Sequence, residues 1–252
     1  VVLISTVFFS VAGIGNWKIM ALLWAVVPVV NALVFTKVPM VFLLEEGEEG
    51  LSIKELFRMK LFWILLVMMV CAGASEQAVS QWVSTFAEKG LGISKAAGDL
   101  AGPMAFALCM GLSRMFYGKY GEKIRLDYFM KGSCIFCVIS YLGISLFPNP
   151  ILSLFACAVS GFSVGIMWPG TFSKAAAALP KAGTALFALL ALGGDFGCSA
   201  GPTLVGFVSD LAGDNLKLGI LASVVFPVLL LVGLAICRKT EGNIGGENER
   251  VF

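Results

Sequence analysis

The chain has 252 residues, 58% of them hydrophobic and 13% charged, with a net charge of +2 and a mean hydropathy of +0.92. A soluble domain of this length has too little interior to hide so much apolar surface, which excludes an ordinary soluble enzyme. The small net charge leaves no reason to expect nucleic acid as a partner, and the absence of histidine removes His-based triads, HExxH zinc sites and imidazole relays. Repeated apolar runs of about 20 residues between short charged loops instead indicate an all-α, polytopic membrane helical bundle.

Val1 to Ala12 is apolar from its first residue, with no basic leader. It reads as the end of a helix whose beginning lies upstream, so an incomplete N-terminal half is expected over 1–38, including a full span at 19–38. Next comes Glu45-Glu-Gly-Glu-Glu49, an acidic, turn-rich linker, and then Ser52-Ile-Lys-Glu55, a capping box. Ile53, Leu56 and Phe57 fall on one face beside Lys54, Arg58 and Lys60, the pattern of an amphipathic surface helix closing a 39–60 linker. Six further spans are expected within 61–237, at 61–87, 96–117, 126–147, 151–173, 183–208 and 216–237. The Gly- and charge-rich segment 238–252 reads as a disordered tail.

Basic residues set the orientation. Lys18, Lys89, Lys95 and Lys217 fall on one side of the membrane and every other Lys and Arg on the other. The positive-inside rule therefore puts the linker, the loop near Lys119 and the C-terminus in the cytoplasm. All seven cysteines fall in expected spans, and Cys134-x-x-Cys137 in an apolar helix reads as packing. No catalytic residue, metal site or cofactor is expected.

Two acids lie within spans, where each costs roughly 3 kcal/mol on insertion scales and so needs a reason. Asp195 sits in Leu192-GGDFGCSAGPTLV-Gly206. On a helical wheel, Gly193, Gly197 and Gly201 form a smooth packing strip. Leu189, Leu192 and Phe196 form a bulky side, and Ala188, Ala191, Asp195, Ser199 and Pro202 a small or polar one. Glu76 shares an arc of about 140° with Gly73, Gln77, Ser80, Gln81 and Ser84, opposite Cys71, Ala78, Val79 and Trp82. A polar arc on a spanning helix must face protein or water. It is either a network tying helices together or a solute pathway, and the pathway is favoured.

Counting from the span ends puts both acids within about one turn of each other in depth. The same count leaves Arg114 near the cytoplasmic end of its span, so both acids are expected to lack a basic partner within the chain, and either to exchange protons or to pair with a basic residue of the upstream half. In the span 151–173, Gly161, Gly165, Trp168 and Phe172 fall on one face, and Pro169 must break the hydrogen-bond ladder. Trp168 could stack on a flat-faced solute or pack on a glycine groove. Gly98, Gly102, Ala105 and Cys109 form another small strip, whereas 126–147 and 216–237 look almost uniformly apolar.

These features resemble the major facilitator superfamily of secondary transporters over nearly the whole chain. The linker before a six-helix block resembles its central loop and C-terminal half. Arg114-Met-Phe-Tyr-Gly118-Lys-Tyr-Gly121 is similar to its loop between the eighth and ninth helices, which implies a cytoplasmic gating role for Arg114, Gly118 and Lys119. Gly193-Gly-Asp195-Phe-Gly-Cys-Ser-Ala-Gly201-Pro202 with Gly165-Ile-Met-Trp168-Pro169 resembles the fucose-permease-like branch. By that resemblance the chain begins within the fifth helix, and the seventh, eighth, tenth and eleventh line a cavity that alternates in access.

The expected function is transport of a small polar solute such as a sugar, with coupling to a proton or other cation, across the inner membrane. Glu76 and Asp195 are the expected coupling or binding acids. Gln77, Ser80, Gln81 and Trp168 are the expected solute contacts, and Gly161 and Gly165 join the glycines of the 183–208 span as packing residues. The expected partners are the solute, the coupling cation, the bilayer and the upstream half. Export of amphipathic compounds and a non-transporting membrane sensor are the competing readings.

Overall fold

A computed structural model describes residues 2–39, 50–91 and 94–248. Among these residues every regular element is helical, and seven stretches are long and apolar enough to cross a membrane. The helices are α1 (Val2–Ala12), α2 (Trp17–Phe35), α3 (Ile53–Arg58), α4 (Lys60–Ser80), α5 (Val83–Leu91), α6 (Lys95–Asp99) and α7 (Ala105–Tyr120). They continue with α8 (Leu126–Leu146), α9 (Pro150–Val164), α10 (Met167–Ala178), α11 (Gly183–Leu211), α12 (Leu216–Ala222) and α13 (Val225–Asn248).

The buried core runs from Leu56 to Cys237 and is contributed by α3 to α5 and α7 to α13. In contrast, α2 buries only Met20, and α1 touches the rest through α6 and the turn that follows it. The expected acidic linker at Glu45–Glu49 lies outside the described residues. Just after it, the capping box forms as the spacing requires. The Ser52 hydroxyl accepts from the Glu55 backbone N–H at 3.3 Å, and the Ser52 backbone N–H donates to Glu55 Oε2 at 2.8 Å. These bonds hold the Glu55 carboxyl below the usual carboxylate range. Of the three apolar residues expected on one face of α3, Leu56 is fully buried, while Ile53 and Phe57 stay exposed.

Several expected spans are not single helices, and two of the breaks trace to proline. An i→i−4 ladder needs the N–H that proline lacks. Pro169 leaves the Gly165 carbonyl without its helical donor, α9 ends at Val164, and the ladder resumes with Gly170 N–H to Ile166 O at 2.7 Å. Pro227 does the same to Ser223, whose carbonyl accepts instead from Phe226 N–H at 3.1 Å, between α12 and α13. Pro103 lies in a wide π turn, Leu100–Met104, that joins α6 to α7. The break at Gln81–Trp82 has no proline. There the turn tightens to Trp82 N–H onto Val79 O at 3.0 Å, and the Trp82 indole donates to Pro202 O at 3.0 Å.

Of the expected disordered tail, 249–252 lies outside the described residues, and the part before it is helical. Backbone from Arg238 to Asn248 continues α13, because extending a helix already nucleated by a packed span costs far less than starting one.

Candidate functional site

The closest helix pair is α4 against α11, and glycine makes it possible. A Cβ added at Gly197 would land on the Val70 carbonyl, and one at Gly201 on the Ala74 carbonyl. At Gly193 it would meet the Leu66 side chain at 2.6 Å. Each step of four along α11 matches a step of four along α4 in the same direction, so the two helices run parallel with their backbones in contact. Gly73 belongs to this seam, since a Cβ there would land on the Gly194 carbonyl. Its sequence placement in the polar arc is therefore corrected: without a side chain, Gly73 serves helix packing.

The Gly73–Gly194 crossing sets Glu76 one turn along α4 and Asp195 one residue along α11. Cys198, whose Sγ borders Gly73, lies one turn along α11 from Asp195 at the same crossing. The remaining arc residues, Gln77 and Ser80, are half-buried and Gln81 is exposed, whereas Cys71, Ala78 and Val79 opposite them are buried. Ser84 lies beyond the break and hydrogen-bonds Asp99. Asp195 and Ser199 are exposed on α11, and Asp195 has no ion-pair partner among the described residues.

The expectation that Glu76 lacks a basic partner is overturned. Arg114 Nη2 lies 3.6 Å from Glu76 Oε2, and Arg114 Nε donates to the Gly165 carbonyl at 3.0 Å. Counting residues from span ends misjudged the depth, because these helices begin at different heights. Direct contacts give the level: α7 crosses α9 where Gly161 meets the Phe106 carbonyl and Gly165 meets Met110 and Ser113. Arg114 thus reaches inward from α7 to the α9–α10 break. It takes the carbonyl that Pro169 leaves free and turns its fork toward Glu76.

This geometry separates the residues of the expected gating loop. Gly118 has open space around it, and Lys119 lies over the Tyr120 ring at 5.5 Å, on the exposed end of α7 away from Glu76. At another helix junction, Lys174 on α10 pairs with Asp127 in the first turn of α8 at 2.7 Å, although its side chain is only 6% exposed. The sequence reading missed this bridge, and no spacing rule points to it.

Trp168 packs on α11. A Cβ at Gly194 would meet its ring at 2.5 Å, and the ring continues an aromatic ladder through Phe172 at 6.3 Å to Phe187 at 5.9 Å from Phe172. The single face expected for Gly161, Gly165, Trp168 and Phe172 is corrected by the helix break. The glycines turn to α7 and the aromatics to α11, since one helical wheel does not carry across Gly165–Ile166. Gly98 and Gly102 pack on α5 at Ser84 and Val83. The apparently uniform α8 also has a polar role, with Tyr141 fully buried and its hydroxyl donating to the Ser75 carbonyl one residue before Glu76.

The described residues include no cluster of three or more His, Cys, Asp or Glu suited to a metal. The Cys134 and Cys137 thiols are free and buried. What the site offers is an acid–guanidinium pair, a second acid at nearly the same level, amide and hydroxyl groups, and an indole, with helix breaks on either side.

A model of the Major Facilitator Superfamily matches residues 2–202. Comparison with curated proteins and with solved structures gives no significant match. With four-fifths of the chain matched and seven apolar helices present, the chain belongs to the Major Facilitator Superfamily and is a multi-pass membrane transporter.

Proposed function

We propose that the protein is a cation-coupled secondary transporter that takes up a small polar solute, of the sugar type, across the inner membrane. Access would alternate as two six-helix halves rock about a midplane site. The carrying observation is the polar side of α4. From Cys71 to the end of α4 and its capping residue, only Glu76, Gln77, Ser80 and Gln81 are left partly or fully exposed, while Cys71, Ala78 and Val79 opposite them are buried. In a bilayer such a surface is stable only against protein or water. Motifs around Asp195 and Trp168 support the fucose-permease-like branch, and the Lys/Arg distribution supports a cytoplasmic C-terminus.

The two acids divide the work. Glu76 is engaged by Arg114 and serves the solute together with Gln77, Ser80, Gln81 and Trp168. Asp195 has no ion-pair partner among the described residues and is assigned the coupling cation. Uptake by the full-length protein in proteoliposomes, with and without an imposed pH gradient, tests this reading. Accumulation that rises with an inward proton gradient supports coupling. Indifference to the gradient sinks coupling, and failure to move any solute sinks the transport proposal for this site.

A further inference from the structure

Among the charged side chains not assigned to the solute above, Arg114 bridges a freed carbonyl and a carboxylate. Its Nε bonds a carbonyl that has lost its helical donor to Pro169, and its Nη2 sits 3.6 Å from Glu76. Arg114 is 46% exposed and Glu76 17%, so the pair lies at the edge of the bundle and is not sealed within it. The 3.6 Å separation exceeds a direct hydrogen bond, and Glu76 Oε1 has no partner among the described residues. A carboxylate offers about four acceptor sites, so Glu76 retains most of its accepting capacity. The two charges cancel, so the pair itself sets no net charge beside an occupant. Beside them lie the amide of Gln77 and, across the Gly73–Gly194 crossing, the flat ring of Trp168.

We propose that Arg114 is a positioning residue, anchored on the carbonyl that Pro169 frees, and that it orients Glu76 to accept hydrogen bonds from the hydroxyl groups of an uncharged, polyhydroxylated solute. This inference rests on the transport reading above, takes its sugar-type solute from it, and adds two residues, Arg114 and Pro169, that act through Glu76. The anchor matters because an arginine side chain is long and flexible. A guanidinium held at Nε presents its fork in one plane, and a lysine at the same place could hold either the carbonyl or the carboxylate but has no fork to span both.

The test is counterflow of radiolabelled L-fucose, D-galactose and D-glucose, with D-glucuronate and L-lysine as charged probes, by the full-length protein in proteoliposomes, which requires no proton gradient. At least one sugar is expected to exchange. Arg114→Gln and Glu76→Gln should each raise its KM roughly 10- to 100-fold, the loss of a hydrogen bond to a charged group, with Vmax per folded protein within about twofold. Arg114→Lys should recover part of the loss. Pro169→Ala, which restores a competing N–H to the Gly165 carbonyl, should raise KM by a smaller factor. A purely structural pair would instead lower the yield of folded protein and Vmax while leaving KM alone, and that result overturns the proposal. Exchange of charged solutes but no sugar also overturns it while leaving secondary transport intact, whereas exchange of nothing counts against both.

Discussion

Two sides of α4 show opposite ways of using a transmembrane backbone. On the α11 side, Gly73, Gly197 and Gly201 remove side chains so that carbonyls and helix surfaces touch directly. On the other side, toward α7 and the α9–α10 break, backbone is interrupted and a freed carbonyl is handed to a charged side chain. The first arrangement is closed and intolerant of added atoms; the second is polar, partly exposed and able to exchange partners. The rigid seam thus lies one turn from a partly exposed ion pair, and on the proposed reading the site could change occupancy without disturbing the register of the helices that hold it.

The comparison breaks most severely at Gly197. Gly197→Leu puts a side chain onto the Val70 carbonyl, backbone that cannot yield, and is expected to abolish folded protein, as read by monodisperse yield in detergent. Overpacking of this kind costs about 1–3 kcal/mol when neighbours can adjust and more when they cannot. A normal yield would mean that α4 and α11 are not in backbone contact.

Pro169→Ala probes the other side. It should leave yield and thermal stability near wild type while lowering transport at subsaturating solute several-fold, because the Gly165 carbonyl then has a helical donor and releases Arg114. If stability falls and transport per folded molecule is unchanged, the proline serves only to shape the α9–α10 junction.

A graded case lies within the seam itself. At Gly193 an added methyl meets the tip of Leu66, which can rotate away, so Gly193→Ala should cost under about 1 kcal/mol. Its effect on thermal unfolding should be clearly smaller than that of Gly197→Ala; equal effects would remove the distinction between side-chain and backbone contact.

The smallest effect belongs to α3, outside both regions. The carboxyl of Glu55 is held below its ordinary range by Ser52, so its contribution to the helix is present above the unfolded-state pKa and lost as pH falls through the lowered folded value. Hydrogen exchange in α3, corrected for intrinsic rates, should quicken below about pH 4 while α4 and α11 keep their protection. Uniform loss across all three would assign the acid transition to the bundle rather than to the cap.

How much of this was legible beforehand follows from which signals are local. The glycine strip at 193, 197 and 201 is a spacing of four on one helix and can be read without knowing the neighbour. The capping box is equally local. Glu76 and Asp195 stand out because acids are rare in apolar runs. The Arg114 contact was hidden because depth was counted from loop boundaries, and those say nothing about how far one helix is displaced along another. One partial signal did exist: Pro169 four residues after Gly165 marks a carbonyl in need of a donor, but which side chain supplies it depends on how α7 packs on α9, which no spacing shows. Gly73 was misassigned because a glycine fits a polar arc and a packing strip equally well on a wheel. Tyr141 bonding to Ser75 and Lys174 bonding to Asp127 join helices far apart in sequence, where no periodicity could reveal them.

The division of labour between the acids is tested most directly by the ratio of solute accumulation with and without an inward proton gradient, measured for the full-length protein and its Asp195→Asn variant. The account predicts a ratio well above one for the wild type, a ratio falling to about one in Asp195→Asn, and recovery in Asp195→Glu. A wild-type ratio in Asp195→Asn would contradict it.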